Sequence, residues 1–289
     1  MKIALHKSAI PHEKVFVIRH LEEKHFDPEW HAHSEYQLFV VLKGKGTRFI
    51  GDNIKSFVPG ELIMTGPHLP HLWRCDDIYF DRSSKMHTEG IVTYFNENFL
   101  GEHFMEKEDV STLSRLFTRS ARGLEFFGPE RQKVIDMLRT LTSLKGLQSV
   151  IHLLKILDIL ASTKNYHFIS SIEYNEEFNQ HEADRLNIVY EYVMKNFRQK
   201  IHLEELAALL HMTPTSFSRY FSKKNNMSFS RFISELRIRN ACKLLIETEL
   251  PVEQVCYECG FNTVSNFNRQ FLEVMQKKPT QYKKEFMSL

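Results

Sequence analysis

The spacing of apolar residues changes along the chain and marks off four stretches. From Val15 to about Phe95, short apolar runs alternate with Gly, Pro, Asn and Asp, a strand-and-turn texture. Gln37–Leu42, Thr47–Ile50, Glu61–Thr65 and Ile91–Tyr94 read as strands, with turns at Lys43-Gly44-Lys45-Gly46, Gly51-Asp52-Asn53 and Pro59-Gly60. Many short strands at this spacing predict a small barrel or sandwich. From about Glu97 to Lys164 the period becomes 3.6 and turn residues thin out. Leu147, Val150, Leu154, Leu157 and Ala161 alternate by three and four like the a and d positions of a short coiled coil, and Ile151, Leu153, Ile156 and Leu160 widen that surface. A helix this apolar buries more than one side, so packing on its own barrel and on a second subunit is expected, giving a homodimer. Residues 165–181 are polar, with scattered aromatics, and read as a linker. The domains expected are therefore 1–164, the linker 165–181, and 182–289.

From Ile201 to Phe286 one pattern occurs twice, about 50 residues apart. Leu203, Leu206, Ala207 and Leu210 make one apolar helix face, and Val252, Val255, Cys256 and Cys259 repeat its spacing. Each face is followed by a short turn and a second helix, anchored by Phe217 and Phe221 or by Phe267 and Phe271. In the first copy Thr213 can cap that helix and Pro214 fits its first position. Thr215, Ser216, Ser218 and Arg219 then lie outward, with Ser222 beside them. In the second copy Gly260 ends the first helix, and the outward set is Thr263, Ser265, Asn266, Asn268 and Arg269. These side chains have hydrogen-bonding groups and little bulk, as a helix entering the major groove requires; Asn and Arg can pair in bidentate fashion with adenine and guanine. A single such pair is weak, because many helical hairpins share its spacing. Two copies in register, with arginines at matched places, point to DNA. The helix expected over Ser230–Thr248 spans roughly 28 Å; held rigidly, it could set two recognition helices about one DNA turn, roughly 34 Å, apart.

Bulk composition alone announces none of this. The net charge is +2, but residues 182–289 hold 16 Lys and Arg against 12 Asp and Glu, whereas the rest holds 22 against 24. No apolar run reaches the ~18 residues of a membrane span, and the charged start (Lys2, His6, Lys7) lacks a signal-peptide core, so no membrane partner and a soluble, cytoplasmic protein are expected. Four cysteines are too few and too uneven for a disulfide framework. Cys256 and Cys259 form a CxxC, yet both occupy core positions of an amphipathic helix. A reactive pair would want a helix N-terminus, and zinc would need two more ligands.

Residues from about Arg185 to Phe286 resemble the DNA-binding region of AraC/XylS-family transcriptional regulators. The string GFNTVSNFNRQF, followed by Pro279-Thr280-Gln281-Tyr282, carries the likeness. The family often has Gly where this chain has Asn226 and Gln276. Asn tolerates left-handed geometry; Gln276 implies a different local turn. Upstream, Trp30-His31-Ala32-His33, Gln37, Gly44, Gly46, Pro59-Gly60-Glu61 and Pro67-His68-Leu69-Pro70-His71 resemble the cupin-like sensor half of the same family. The resemblance implies an α+β chain: an N-terminal cupin-like β-barrel with a helical dimerisation segment, and a C-terminal all-α domain with two helix-turn-helix motifs.

Metal-binding cupins use two His and a Glu from the first motif and a later His, which project here onto His31, His33, Gln37 and His71. Gln37 removes the anionic ligand that would help hold Fe, Mn or Zn, so no metal and no cofactor are expected. The same residues with Trp73 would line a metal-free pocket for a sugar or related metabolite, with Trp30 as a further aromatic wall; core packing accounts for either Trp equally well. The implied function is a non-enzymatic regulator whose partners are promoter DNA, a small-molecule effector, a second copy and RNA polymerase. The competing function is a metal-dependent cupin enzyme with DNA binding secondary. A protein-interaction role for the repeats is opposed by the outward arginines.

Overall fold

The computed structural model describes residues 10–101, 103–174 and 180–287. The chain divides near residue 180 into two compact units, described in turn. The charged start and residues 175–179 of the expected linker lie outside the described residues.

The first unit is built on two antiparallel sheets. Strands β1 (Phe16–Glu23), β2 (Tyr36–Lys43), β3 (Gly46–Ile50), β4 (Asn53–Phe57), β5 (Leu62–Thr65), β6 (His71–Cys75) and β7 (Thr88–Phe95) are followed by helix α1 (Ser111–Ser120), β8 (Leu124–Phe126), α2 (Gly128–Leu141), α3 (Gly146–Ser162) and β9 (Tyr166–Phe168). One sheet runs β1-β7-β2-β5-β8-β9 and the other β4-β3-β6. Each expected strand is present within a residue or three of its limits. The hydrogen bonding does not close into a ring, however: β1 and β9 end the larger sheet and β4 and β6 the smaller, so the expected barrel is two facing sheets.

Period-2 alternation explains the two cores. On β2, Tyr36, Leu38 and Val40 turn to one face, where they pack with Leu62, Met64, Ile91 and Phe95 under Leu116, Phe117, Val134, Leu138, Leu153, Ile156, Leu157 and Leu160 of α1, α2 and α3. Phe39 and Val41 turn the other way and meet Ile50, Phe57, Trp73 and Cys75 of the smaller sheet. Arg48, on that inner side, is only 1% exposed; its guanidinium donates to Glu61 (2.9 Å), Asn53 (3.2 Å) and Glu125 (2.8 Å), tying the sheets together.

Two expectations change here. In α3 the buried positions are Leu153, Ile156, Leu157, Leu160 and Ala161, so three residues expected to flank the seam and only two of the seam itself, Leu157 and Ala161, are buried. Leu147 is 72% exposed, and Val150, Ile151 and Leu154 are half-buried. The stretch expected to begin the linker also starts as structure: Tyr166–Phe168 pair with β8, and Ile169 is buried in the inter-sheet core.

The second unit comprises α4 (Gln180–Asn196), α5 (Leu203–Leu209), α6 (Pro214–Asn225), α7 (Phe229–Glu247), α8 (Val252–Glu258), α9 (Val264–Met275) and α10 (Pro279–Met287). Phe217, Phe221, Phe229 and Phe232 form an edge-to-face aromatic core around the first pair of motif helices. Ile238, Ala241, Cys242, Leu245, Val255, Cys256, Cys259, Phe261, Phe267 and Phe271 form the second core. Helix α7 packs on α6 as well as on α8, α9 and α10, so one 19-residue element belongs to both motifs. Its Arg237 donates to the carbonyls of Phe197 and Gln199 (both 2.7 Å), closing the C-terminal end of α4. Gly260 is required by contact as well as by its φ of +83°: a Cβ there would lie 2.4 Å from the Arg198 carbonyl oxygen.

Candidate functional site

Two groups of side chains stand out, one in each unit. In the second unit the two motifs are framed alike. Thr213 and Thr263 are the N-caps of α6 and α9; their hydroxyls accept from the backbone N–H groups of Ser216 (3.2 Å) and Asn266 (3.3 Å). Phe217 and Phe221, like Phe267 and Phe271, are fully buried. Both helices end in a left-handed residue, Asn226 (φ 51°, ψ 22°) and Gln276 (φ 55°, ψ 22°). The different turn expected from Gln276 is therefore absent. Its N–H donates to the Leu272 carbonyl, and its side chain to that of Glu273, both at 2.9 Å. The turns inside the motifs correspond as well: His211 (φ 53°) stands where the second motif has Gly260, and the N–H groups of Met212 and Phe261 donate back to Ala207 and Cys256.

This frame fixes which side chains reach solvent. Thr215, Ser216 and Arg219 are exposed on α6, whereas Ser218 is half-buried. Ser265, Asn266, Asn268 and Arg269 are exposed on α9, and Arg269 donates to the Asn266 carboxamide oxygen at 3.0 Å. Thr263, read from sequence as a groove contact, spends its hydroxyl oxygen on the cap, as Thr213 does. Thr215, Ser216 and Arg219 then match Ser265, Asn266 and Arg269 in exposure, whereas Ser218 and Asn268 differ. Cys256 and Cys259 are fully buried, and burial pushes both thiols up, Cys259 to about 11. Such thiols are neither nucleophiles nor ready metal ligands.

In the first unit His31, His33, Gln37, His71 and Trp73 are brought together between the sheets, all at most 9% exposed. The His71 ring centroid is 4.6 Å from that of His31 and 5.1 Å from that of His33, and Trp73 stands 5.6 Å from His71. Each histidine has Nδ1 on a backbone carbonyl: His31 on Glu29 (2.7 Å), His33 on Glu35 (2.9 Å), His71 on Leu69 (2.7 Å). The proton therefore sits on Nδ1. His33 Nε2 lies 3.1 Å from the Gln37 carboxamide oxygen.

Strand register adds two residues that sequence reasoning missed. Tyr94 and Thr65 flank Gln37 on β7 and β5 and share its inward face. The Thr65 hydroxyl and the Trp73 indole N–H are buried with no hydrogen-bond partner among the described residues. Among the described residues, the trio whose ligand atoms lie within 4.8 Å of one another is elsewhere: His20, Glu22 and Glu89, near the solvent-facing ends of β1 and β7. Lys43 already pairs with Glu89 there, at 2.9 Å.

Residues 206–285 match the family model described as a helix-turn-helix domain. The uncharacterized HTH-type transcriptional regulator YdeC of Bacillus subtilis (strain 168) is 30% identical over 111 residues, 37% of this chain and 38% of that protein. The Msm operon regulatory protein of Streptococcus mutans serotype c is 20% identical over 258 residues, 88% of this chain and 85% of its own length. The HTH-type transcriptional activator RhaR of Mannheimia succiniciproducens is 21% identical over 281 residues, 92% of each. The aligned stretch thus spans little more than a third of the first of these relatives. These relatives are named as regulators of transcription or of an operon, and the second unit carries a helix-turn-helix domain. Among the described residues, no helix is long and apolar enough to cross a membrane.

Proposed function

We propose that the protein is a sequence-specific transcriptional regulator that responds to a small oxygen-rich metabolite of the sugar type. The observation that carries this reading is the matched framing of α6 and α9. Cap, buried aromatic pair and left-handed exit recur at the same positions, which leaves Thr215, Ser216 and Arg219 facing out as Ser265, Asn266 and Arg269 do. Both helices present N-terminal polar side chains for base edges, and the backbone N–H groups of their first turns suit phosphate. Residues 1–164 would form the cupin-like sensing and dimerising half, and 182–289 the half that reads promoter DNA and meets RNA polymerase. In the sensing half, the buried Trp73 indole N–H and Thr65 hydroxyl supply donors beside the imidazoles of His31, His33 and His71, a polar set that complements hydroxyl groups. For ligand to switch DNA occupancy it must bind one arrangement of the chain better than another.

Genome-wide mapping of bound sites tests the reading and supplies the duplex for the next step. Arg219→Ala and Arg269→Ala should each weaken binding to a mapped site by about ten-fold or more, since a good base contact is worth about 1–3 kcal/mol. Both residues are exposed, so stability should move by less than ~0.5 kcal/mol. Unchanged affinity in both variants would remove these residues as readers. A thermal-shift screen of sugars and related polyols tests the effector; a hit whose shift survives both Trp73→Phe and His71→Gln binds elsewhere.

A further inference from the structure

The β3–β4 turn joins the inter-sheet cluster to the first residues of the segment that runs on towards the DNA-binding unit. On one side, Ile50 pairs with His71 in the β3–β6 ladder, and the Gly51 N–H donates to the Pro70 carbonyl at 2.9 Å. On the other, the Asp52 carboxylate takes both hydrogen bonds offered by Ser171, one from its N–H (3.0 Å) and one from its hydroxyl (2.5 Å). Ser170 is 2% exposed, and its carbonyl accepts two bonds from the Arg122 guanidinium (3.1 and 2.8 Å) while its N–H donates to the Arg122 carbonyl (2.8 Å). Ile169 is buried in the same apolar cluster as Leu69 and Trp73. Gly51 makes the close approach possible: its φ is +55°, and a Cβ there would stand 2.2 Å from the Ser170 hydroxyl.

We propose that Gly51 and Asp52 form a latch through which the state of the His71 strand decides whether residues 169–171 stay seated on the sensing half. The inference rests on the effector reading only for its biological use; the coupling itself is a property of this unit. Asp52 acts by positioning, through its two bonds from Ser171. A ligand that shifts β6 at His71 moves Pro70 and Gly51 with it, through the β3–β6 ladder and the Gly51–Pro70 hydrogen bond. The carboxylate beside Gly51 then loses its two-point hold on Ser171.

Hydrogen exchange on the full chain without any ligand tests this. Asp52→Ala should raise exchange of the 169–171 amides by about ten-fold or more, as loss of a hydrogen bond to a charged group implies, while the amides of β2 keep their protection. His71→Gln should raise exchange at 169–171 in the same sense, and combining it with Asp52→Ala should add nothing further. Gly51→Ala, a steric wedge against Ser170, is the second route to the open segment and should match Asp52→Ala. Exchange at 169–171 that ignores His71→Gln, or that responds additively in the double variant, overturns the latch. Failure of the thermal-shift screen bears on the effector reading alone, since no ligand enters this experiment.

Discussion

Gln276 occupies the left-handed region, which costs an L side chain about 1–2 kcal/mol, and its own hydrogen bond to Glu273 offsets part of that. Glycine at this position relieves the strain, but it frees the unfolded chain by about 0.5–1 kcal/mol. Gln276→Gly should therefore stabilise the protein by a few tenths to about 1 kcal/mol in a denaturant melt, and Asn226→Gly by less, because Asn already tolerates this geometry. Destabilisation by Gln276→Gly would mean that the side chain holds more than it strains. The cysteines give the other test at this scale. Burial pushes Cys75 and Cys242 up to about 12 and Cys259 to about 11, well above the ~8.5 of an unfolded thiol. The sign follows: the unfolded chain gives up these protons first, so stability is intact below pH ~8.5 and falls as pH rises from there towards 11 and 12. Thiol titration with a chromogenic disulfide at pH 8 should find these groups unreactive until denaturant is added; rapid native modification of Cys256 or Cys259 would revive a redox role for the pair.

The recognition helices were legible as elements because each carries its own boundary signals. Thr213 with Pro214, and the Phe pairs four residues apart, define α6 and α9 without any tertiary information. Thr213→Ala and Thr263→Ala should each cost about 1 kcal/mol by removing a cap, read as a shift in the thermal midpoint. At Thr263 a weakening of DNA binding should accompany that loss; a pure affinity defect with unchanged stability would restore this residue as a direct contact. What sequence missed had no local signal. Strands β8 and β9 are three residues each; β8 is embedded in a stretch of helical period, so Leu124 and Phe126 read as helix until β5 pairs with them, and β9 opens the stretch read as linker. Thr65 and Tyr94 were inside or beside expected strands, but only the register with Gln37 puts all three in one row. Arg48 carries no local sign of burial; its burial depends on Glu61 and Glu125, far apart in sequence.

For the whole molecule, the proposed dimerisation through α3 would decide how many DNA-binding units act together. Its inner face is already used by Leu153, Ile156, Leu157 and Leu160 against the sheet, whereas Leu147, Val150, Ile151 and Leu154 remain wholly or partly exposed along one stripe. Burying a leucine side chain contributes about 1.5–3 kcal/mol, so a self-association that covers two per subunit loses at least ten-fold in affinity for each one removed. The proposed homodimer makes this measurable. By light scattering after size exclusion, the native protein should run at twice its 34.2 kDa chain mass. Leu147→Glu with Leu154→Glu should shift it to monomer, with the circular dichroism spectrum unchanged because the sheet-facing residues are untouched. Joining two subunits presents four recognition helices instead of two, and the second subunit then binds at an effective concentration set by the dimer rather than by bulk protein. The double variant should accordingly lose affinity for a mapped two-half-site operator far more than for an isolated half-site. Equal losses on both, or a native protein that is monomeric at all concentrations, would assign the α3 stripe to some other contact and leave each chain to act alone.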